Sequence, residues 1–326
     1  MNVKQKILEI FEIEKGKYIS GEELASHLSV SRTAVWKAVK SLQNEGYSIA
    51  AVSNKGYCLS NDTDILSTQS ISKYLSGNAA RFEVSVNKTI DSTNSRLKEL
   101  ASQGAPEGTV VIAEEQTSGR GRMNRNFYSP ADTGIYMSIL LRPKLSATEA
   151  LFITTSAAVA VAQAIEAVSS REAKIKWVND IYCDGKKVCG ILTEASFDME
   201  SGGLEYAVLG IGINVKTPKD GFPDDIKDIA VAVFEDDPDI VDTKSRLVAE
   251  VLKRFWNYYI GLENKTFLSE YRKRSLVIGK EILVLGNNTS EKALALEIDD
   301  QCRLKVRLED GTIELLSSGE VSIKSI

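Results

Sequence analysis

Two serines near the start of the chain, Ser20 and Ser31, each precede a short amphipathic segment. Ser20 is followed by GEELASHL, with Glu23 at the capping-box spacing, and Ser31 is followed by RTAVWKAVKSLQNEG. Serine is a favoured N-cap because its hydroxyl accepts a hydrogen bond from a backbone amide of the first turn. Gly46 stands where the second helix would end. The pattern therefore predicts two helices joined by a tight turn, a helix-turn-helix.

A predicted hairpin follows these helices. The run YSIAAVSNKGYCL has two strand-like stretches separated by a turn that carries Lys55. Residues 1–62 are therefore predicted to form a winged helix-turn-helix domain. Cations and the first residues of a groove-bound helix are what DNA binding requires. The residues predicted to contact DNA are Ser31, Arg32, Thr33, Lys37, Lys40 and Lys55. The alternative is a protein-binding winged helix whose lysines form a solvated face.

Charge and reactive residues restrict the function classes. The first 60 residues carry eight Lys and Arg against six Asp and Glu, and the other 266 carry 32 against 39, so a polyanion partner would meet the first part. The single histidine, His27, leaves the rest of the chain without a Ser–His or Cys–His pair. Four cysteines without CxxC spacing indicate neither a zinc site nor a disulfide framework.

The same features predict where the protein is found. The first residues lack the apolar segment of a secretory signal. The apolar tract from Ala150 to Val168 is interrupted by polar residues and is predicted to be a buried helix, not a membrane span. We therefore expect a cytoplasmic protein without a membrane partner.

A loop rich in arginine and glycine follows the predicted strand TVVIAEEQ. Three arginines and two glycines fall within the seven positions from Gly119 to Arg125. Glycine lets backbone amides approach an anion, and guanidinium groups match phosphate oxygens two at a time. The loop is neither a Walker A motif nor a dinucleotide-binding fingerprint. It is predicted to bind nucleotide phosphate, with nucleic acid as the competing ligand.

Three weaker segments accompany this loop. The turn from Asp91 to Asn94 offers hydroxyl groups to a polar ligand, although taken alone it indicates only a helix cap. Residues 174–182 are predicted to form one strand that directs Lys176, Val178 and Asp180 to one side. Such a strand is suited either to phosphate and Mg²⁺ or to a salt-bridged sheet edge. The run GIGINV at 210–215 would place Asn214 beside a ligand.

Together these segments, in this order, resemble the biotin protein ligases. The matching pieces are DSTN at 91–94, EQTSGRGR at 115–122, KWVND at 176–180, KVCGIL at 187–192 and GIGIN at 210–214. With the predicted winged helix and the tail, the whole chain is similar to the bifunctional ligase–repressors of bacteria. The resemblance implies an α+β multidomain fold. It comprises the winged helix, a central α/β ligase domain with a mixed sheet at 63–270, and a C-terminal SH3-like β-barrel at 271–326.

The resemblance also implies roles for particular residues. Contacts to biotin are implied for Ser92, Thr93, Asn94, Gln116, Arg120, Gly121, Arg122 and Lys187. Contacts to ATP or the adenylate are implied for Arg120, Arg122, Arg125, Phe127, Lys176, Asn179 and Asn214. Catalytic roles are implied for Arg122, Lys176, Asp180 and Lys187, and Asp180 is a candidate ligand for Mg²⁺.

Three positions depart from the family pattern. Val178 replaces a usual proline, which changes no functional group, so we expect little effect. Phe127 stands where tryptophan commonly packs against adenine, and a phenyl ring can still stack there. The stretch Ile229–Val233 lacks the hydroxyl groups of its family counterpart, which puts any contact made by them in doubt.

The tail contains five short alternating runs: GKEILVL, KALALEID, CRLKVRL, TIELL and VSI. Turns are expected at Gly286 and at Asp310–Gly311. Closing such strands into a small barrel removes their exposed edges. In the family this domain contacts ATP or the acceptor protein, whereas the residues alone are equally consistent with a structural cap.

The resemblance implies an AMP-forming biotin–[acetyl-CoA-carboxylase] ligase. Its substrates would be ATP and biotin, its cofactor Mg²⁺, and its protein partner the biotin carboxyl carrier protein. It also implies repression of biotin genes through operator DNA, with biotinyl-5′-AMP as corepressor and a homodimer as the liganded form. A ligand-sensing repressor without transferase activity is the alternative. A lipoate ligase would share the broad fold class. It would leave unexplained the winged helix-turn-helix domain of residues 1–62, which we call the head.

Overall fold

The computed structural model describes residues 2–146, 149–197, 203–235, 241–285 and 290–323. The chain divides into two compact units, one formed by Met1–Ala80 with Pro238–Ala249 and the other by Arg81–Asp237 with Glu250–Ile326. The domain limits predicted at residues 62 and 270 rest on sequence motifs and stay predictions.

The first unit has the predicted helix-turn-helix and wing. Its elements are α1 (Val3–Ile13), α2 (Gly21–Leu28), α3 (Arg32–Asn44), β1 (Ile49–Val52), β2 (Gly56–Leu59) and α4 (Thr68–Ser72). Ser20 and Ser31 are the N-caps of α2 and α3, as predicted, with hydroxyls that accept from Glu23 N at 3.0 Å and Ala34 N at 3.2 Å. Within the described contacts, the Glu23 side chain does not return the bond that a capping box requires. The caps fix where both helices begin.

A buried charge cluster lies within this unit. Asp242 accepts from Lys15 Nζ at 2.7 Å and from Lys73 Nζ at 2.6 Å, and Lys73 also donates to Glu12 at 2.6 Å. Burial opposes ionisation of Asp242, but hydrogen bonds from both lysines hold the pKa of its carboxyl below the ordinary value. Burial likewise disfavours the Lys73 ammonium, yet its bonds to Asp242 and Glu12 raise its pKa. Glu12 in α1, Lys73 beside α4 and Asp242 are thus held as one network.

A mixed seven-stranded sheet forms the centre of the second unit, in the order β3-β4-β5-β9-β8-β7-β6. The strands are β3 (Glu83–Ile90), β4 (Thr109–Gln116), β5 (Gly134–Leu141), β6 (Lys174–Lys176), β7 (Asp180–Cys183), β8 (Lys186–Phe197) and β9 (Leu204–Asn214). The pair β3–β4 is parallel and the other neighbours are antiparallel. The predicted α/β domain with a mixed sheet is confirmed.

The prediction of one strand over residues 174–182 is wrong. The segment forms the short strands β6 and β7, which pair as a hairpin with Lys176 opposite Asp180. Trp177 and Val178 lie in the turn and are buried. Trp177 Nε1 donates to Cys302 O at 3.0 Å, and Val178 O accepts from Tyr271 at 3.0 Å. Val178 therefore does not share a side with the two charged residues.

The remaining α-helices of the described residues are α5 (Thr93–Ser102), α6 (Ala150–Ser169), α7 (Thr243–Tyr259) and α8 (Leu268–Lys273). Helix α7 begins in the part of the chain that belongs to the first unit and continues into the second. Helix α5 packs on β4, β5 and β9, whereas α6 packs on β6, β7, β8 and α8. Among the described residues, α6 alone is long and apolar enough to cross a membrane. Thirteen of its residues are buried within the protein, so it is the core helix that the sequence predicted.

The C-terminal strands form a five-stranded antiparallel sheet in the order β13-β12-β11-β10-β14. They are β10 (Glu281–Leu285), β11 (Ser290–Ile298), β12 (Leu304–Leu308), β13 (Ile313–Leu316) and β14 (Glu320–Ile323). The predicted turn at Asp310–Gly311 joins β12 to β13, and Gly311 has a φ of 89°. The predicted turn at Gly286 lies outside the described residues. The β-rich C-terminal domain is confirmed.

Candidate functional site

One pocket of the second unit, with a volume of about 240 Å³, brings the predicted ligand-binding residues together. Its walls come from the start of α5, the loop after β4, the β6–β7 hairpin and the strands β8 and β9. The residues predicted to bind biotin or ATP, or to act in catalysis, all line it: Ser92, Thr93, Asn94, Gln116, Arg120, Gly121, Arg122, Arg125, Phe127, Lys176, Asn179, Asp180, Lys187 and Asn214. Segments more than a hundred residues apart therefore form one cavity.

The turn before α5 supplies polar groups to this pocket. Ser92 is the N-cap of α5, and Thr93 and Asn94 are the first helical residues. Gln116, at the end of β4, accepts from Thr93 N at 2.9 Å and donates through Nε2 to Ser129 Oγ at 3.0 Å. The helix cap that the sequence indicated and a polar pocket wall are thus the same structure.

Two residues that were not predicted from the sequence, Ser138 and Glu194, hold this turn through hydrogen bonds to Thr93 and Asn94. The buried Ser138 Oγ lies 2.7 Å from Thr93 Oγ1 and 2.6 Å from Asn94 Oδ1. Asn94 Nδ2 donates to Glu194 at 2.7 Å, and Lys98 Nζ donates to the other carboxylate oxygen of Glu194 at 2.8 Å. Burial opposes ionisation of Glu194, but the bonds from Lys98 and Asn94 hold its pKa below the ordinary value.

The arginine-glycine loop is a closed hairpin. Gly121 N donates to Arg125 O at 2.7 Å, and Phe127 N donates to Gly119 O at 2.9 Å. A Cβ atom on Gly119 would lie 2.5 Å from Phe127 O, so only glycine permits this approach. The hairpin keeps the exposed Arg120 and Arg125 side chains on the same short loop at the pocket wall.

Arg122 is the half-buried arginine of this loop. Its guanidinium donates through Nη1 to Asn179 Oδ1 at 2.9 Å and through Nη2 to the backbone oxygen of Gly319 at 3.0 Å. Gly319 immediately precedes β14, and Val321 of that strand also lines the pocket. The C-terminal domain therefore contributes to the pocket.

Lys187 and Asp180 form an ion pair inside the pocket, with 2.7 Å between Nζ and Oδ1. Lys187 is held through its backbone as well, because its N donates to Ile229 O at 2.7 Å and its O accepts from Val231 N at 2.9 Å. The departing stretch Ile229–Val233 thus positions Lys187 through main-chain atoms, which need no side-chain hydroxyl.

Glycine backbone forms the pocket floor. A Cβ atom on Gly210 would lie 2.2 Å from Asn94 Oδ1, and one on Gly212 would lie 2.5 Å from the Phe127 ring. Gly190 faces the same ring, where a Cβ atom would approach to 3.2 Å. Phe127 also makes an edge contact with Tyr136, at 6.3 Å between ring centroids. The glycines of the GIGIN and VCG motifs therefore give Asn94 and Phe127 room to reach the pocket.

Asp180 is the candidate for a divalent cation. Among the described residues, no group of three or more His, Cys, Asp or Glu side chains could enclose a metal. The buried Oδ1 of Asp180 contacts Lys187 but accepts no aligned hydrogen bond from the part of the chain that the structure describes. Because Mg²⁺ commonly takes one or two carboxylates together with substrate phosphates, this lone carboxylate fits a nucleotide-bound ion better than a closed protein site.

The residues predicted to contact DNA are all exposed on the first unit. Arg32, Thr33, Lys37 and Lys40 are exposed on α3, Ser31 is its exposed N-cap, and Lys55 is exposed in the wing turn. Lys55 Nζ lies 5.7 Å from the centre of the Tyr18 ring. Trp36, which the prediction omitted, shares the α3 face. Its spacing of three residues from Thr33 and four from Lys40 was the available signal.

Comparison with known proteins agrees with this architecture. The model of the Biotin/lipoate A/B protein ligase family matches residues 86–214, an HTH domain matches 3–58, and the Biotin protein ligase C terminal domain matches 277–324. The Bifunctional ligase/repressor BirA of Bacillus spizizenii is 35% identical over 319 residues, which cover 97% of each chain. The Biotin--[acetyl-CoA-carboxylase] ligase of Mycobacterium tuberculosis is 34% identical over 71% of this chain and 85% of its own.

A solved structure is similar to a large part of this chain. The biotin protein ligase of Aquifex aeolicus in complex with biotin and ATP is 29% identical, with a TM-score of 0.62 over 74% of this chain and 98% of that one. The fold and the pocket thus define a biotin protein ligase that carries a DNA-binding head. The full-length similarity identifies the branch: the chain belongs to the BirA family of bifunctional ligase/repressors.

Proposed function

We propose that this protein activates biotin with ATP to biotinyl-5′-AMP and transfers it to a lysine of the biotin carboxyl carrier protein of acetyl-CoA carboxylase. The observation that carries the proposal is the convergence, in one pocket, of all fourteen residues named for biotin, ATP and catalysis. Four free, buried cysteines support a site of action in the reducing cytoplasm.

In the first step the biotin carboxylate attacks the α-phosphorus of ATP. A bond forms between carboxylate oxygen and phosphorus, and the bond to the β-phosphate oxygen breaks, so pyrophosphate leaves. Two like-charged groups must meet, so cations have to neutralise them. We assign this role to Arg120, Arg122, Lys176 and Lys187. Asp180 acts by holding Lys187 through their ion pair.

In the second step the ε-amine of the acceptor lysine attacks the acyl carbon of the anhydride. An amide bond forms, AMP leaves, and the amine loses a proton to solvent or phosphate. No nucleophile from the enzyme is required, in keeping with the single histidine of the chain. Catalysis then consists of positioning and of keeping water away from the anhydride, and we assign the second task to the arginine-glycine loop.

Mg²⁺ is proposed as the cofactor, with Asp180 as its protein ligand beside the nucleotide phosphates. When bound, the ion supplies charge neutralisation for the leaving pyrophosphate. The ring of Phe127 and the amides of Asn179 and Asn214 are assigned to the nucleotide.

The experiment is incubation of the full chain with ATP, Mg²⁺, labelled biotin and the carrier protein, followed by mass spectrometry of the carrier. A carrier heavier by one biotinyl group supports the ligase. Adenylate formation without transfer would instead identify a ligand-sensing repressor, and labelling by lipoate in place of biotin would identify a lipoate ligase. Absence of biotin binding in calorimetry, with and without ATP, would refute all biotin-dependent functions.

We further propose that the head represses biotin genes, with biotinyl-5′-AMP as corepressor and a liganded homodimer that sets two heads on a palindromic operator. The exposed cationic residues of α3, together with the exposed Lys55 of the wing turn, support this proposal. Gel shifts with DNA from upstream of biotin genes, with and without biotinyl-5′-AMP, test this proposal. Tighter binding with the adenylate is expected, and equal affinity would reject the coupling.

A further inference from the structure

Glu194, Asn94, Ser138 and Thr93 form a chain of hydrogen bonds at the start of α5. Glu194 determines which atom of each pair is the donor and which is the acceptor. A carboxylate can only accept, so the Asn94 atom beside it must be the donating Nδ2, as the contact at 2.7 Å requires. The Asn94 oxygen is then turned toward Ser138 Oγ, 2.6 Å away. An amide oxygen also only accepts, so the single Ser138 proton must point to Asn94.

The consequence passes on to Thr93. Ser138 Oγ and Thr93 Oγ1 lie 2.7 Å apart. Because the only proton of the Ser138 hydroxyl is committed to Asn94, we infer that the Thr93 hydroxyl is the donor of this hydrogen bond. That bond is shorter than the 3.2 Å that separates Thr93 Oγ1 from Gln116 Oε1. The Thr93 oxygen thus keeps only lone pairs to offer to the pocket, and it can accept a hydrogen bond from a ligand but not donate one.

We infer that Glu194 and Ser138 are positioning residues that hold Thr93 as an obligate acceptor for an N–H group of the ligand. The inference rests on the proposed function and deepens it. The cyclic urea of biotin carries N–H donors, whereas the dithiolane of lipoate carries none, so the chain of bonds Glu194–Asn94–Ser138–Thr93 favours the first ligand. Asn94 acts by transmitting the orientation, since both of its polar atoms are bonded within the protein.

The test uses Glu194→Gln, which keeps size and shape but supplies a group that can donate. Asn94 then keeps the longer contact of its Nδ2 to Leu192 O at 3.5 Å but can turn over, so the direction of the chain of hydrogen bonds is no longer fixed by Glu194. Calorimetry of the full chain with biotin alone should give a Kd about tenfold higher, the effect of one misdirected hydrogen bond. The matched control is Lys98→Met, which removes the other half of the ion pair but leaves the carboxylate. Its Kd should change by less than about twofold, as for a partly exposed pair.

A kinetic readout separates positioning from general damage. In Glu194→Gln and Ser138→Ala, KM for biotin should rise while KM for ATP and kcat at saturating biotin stay within about twofold. Ser156→Ala, which removes an equally buried hydroxyl that donates to Ile153 O within α6, should leave all three unchanged. Equal losses in Glu194→Gln and Lys98→Met, or parallel rises in both KM values, would overturn the inference. If the wild-type chain itself binds no biotin, the proposed function fails instead.

A second inference rests on the head alone. Thr33, Trp36, Lys37 and Lys40 are spaced as one stripe of α3, opposite the buried stripe of Val35, Ala38, Val39 and Leu42. Trp36 is 51% exposed at the centre of that stripe, and α3 contains no acidic residue. An exposed indole next to lysines on a helix without acidic residues is suited to a partner that is a polyanion and also presents apolar groups.

We propose that Trp36 contacts thymine methyl groups in the major groove of duplex DNA. The methyl group is the apolar feature that thymine presents there, and apolar side chains recognise it by contact. Lys37 and Lys40 would bind phosphates and hold the helix in the groove, so affinity comes from the lysines and sequence preference from Trp36. The proposal rests on the DNA binding proposed above.

The test begins with selection of a bound duplex from a randomised library by the full chain with biotinyl-5′-AMP. Each thymine of the selected duplex is then replaced by deoxyuridine, which lacks only the methyl group. At one or more positions the wild-type Kd should rise by about tenfold, and Trp36→Ala should show the same loss with no further effect of the replacement. The DNA affinity of Trp36→Ala should depend on salt as steeply as that of the wild type, whereas the affinity of Lys37→Ala should depend on salt less steeply.

Two results would contradict the proposal. A wild-type affinity that no deoxyuridine replacement alters would overturn the role of Trp36. Failure of the chain to select any duplex would refute DNA binding itself, and a protein partner captured through Trp36 would then be the competing explanation.

Discussion

Arg122 in the loop after β4 and Asn179 in the β6–β7 turn are joined by a hydrogen bond of 2.9 Å across 57 positions of sequence. The bond couples the arginine-glycine loop to the hairpin that carries Lys176 and Asp180. We expect the replacement Arg122→Gly to weaken retention of biotinyl-5′-AMP, since a charged donor at this wall is lost. Release of the adenylate should be about 10- to 100-fold faster in a single-turnover assay. Replacement of the exposed Arg307 by glycine is the control, and unchanged release in Arg122→Gly would contradict the role.

The glycine floor makes a steric prediction. In Gly212→Ala the new methyl group would meet the Phe127 ring at 2.5 Å, so the ring must leave its place. Because Phe127 is assigned to the nucleotide, KM for ATP should rise by about tenfold or more, with a smaller change in KM for biotin. Gly261→Ala, where the nearest atom would be 3.5 Å away, is the control and should behave as wild type. A normal KM for ATP in Gly212→Ala would show that Phe127 is not needed in this position.

The charge cluster of the first unit makes a stability prediction. Asp242→Asn leaves Lys15 and Lys73 without their shared carboxylate, and we expect a loss of about 3 kcal/mol at pH 7. The folded pKa of Asp242 lies below its ordinary value of 3.8, so its contribution is full above that pH and disappears as the pH falls through the folded pKa. The difference between variant and wild type should therefore shrink in acid.

Hydrogen exchange of the α1 amides would measure this difference locally. Asp62→Asn, an exposed carboxylate of the same unit, is the control and should be neutral. A variant as stable as wild type at neutral pH would argue that desolvation of the cluster offsets its attraction.

The cationic face of α3 makes a salt-dependence prediction. The double replacement of Lys37 and Lys40 by alanine should weaken binding to a mixed-sequence 40-base-pair duplex and reduce the slope of log K against log salt by about two. Lys17→Ala removes an exposed lysine that lies outside α3 and should leave the slope unchanged. The slope can be read from fluorescence anisotropy titrations between low and physiological salt, and an unaltered slope would place the lysines off the DNA.

Local signals predicted local structure well. The serine caps, the wing turn and the five strands of the tail depend on neighbouring residues, and each was predicted from spacing alone. The β6–β7 hairpin was missed because its turn, Trp177 to Asn179, contains neither glycine nor proline. Both a strand and a hairpin fit that sequence.

The residues that line the pocket could be predicted from the sequence, but the hydrogen bonds that hold them from other strands could not. Its residues followed from motifs that resemble a family, whereas Ser138 and Glu194 lie 44 and 100 positions from Asn94 and belong to no motif. The one available signal was a charged Glu194 within the apolar run of β8. Pairing of β5, β8 and β9 around α5 decides which side chains meet, and no local pattern encodes that pairing.

The glycine floor also has a consequence for inhibitors. A flat compound resting on Gly190, Gly210 and Gly212 would meet main-chain atoms, which no mutation can exchange. Any replacement there adds a Cβ atom that collides with Asn94 or Phe127 or crowds Lys187, and so damages the enzyme together with the drug site. Resistance would then have to arise at the rim, where side chains differ in what they can tolerate.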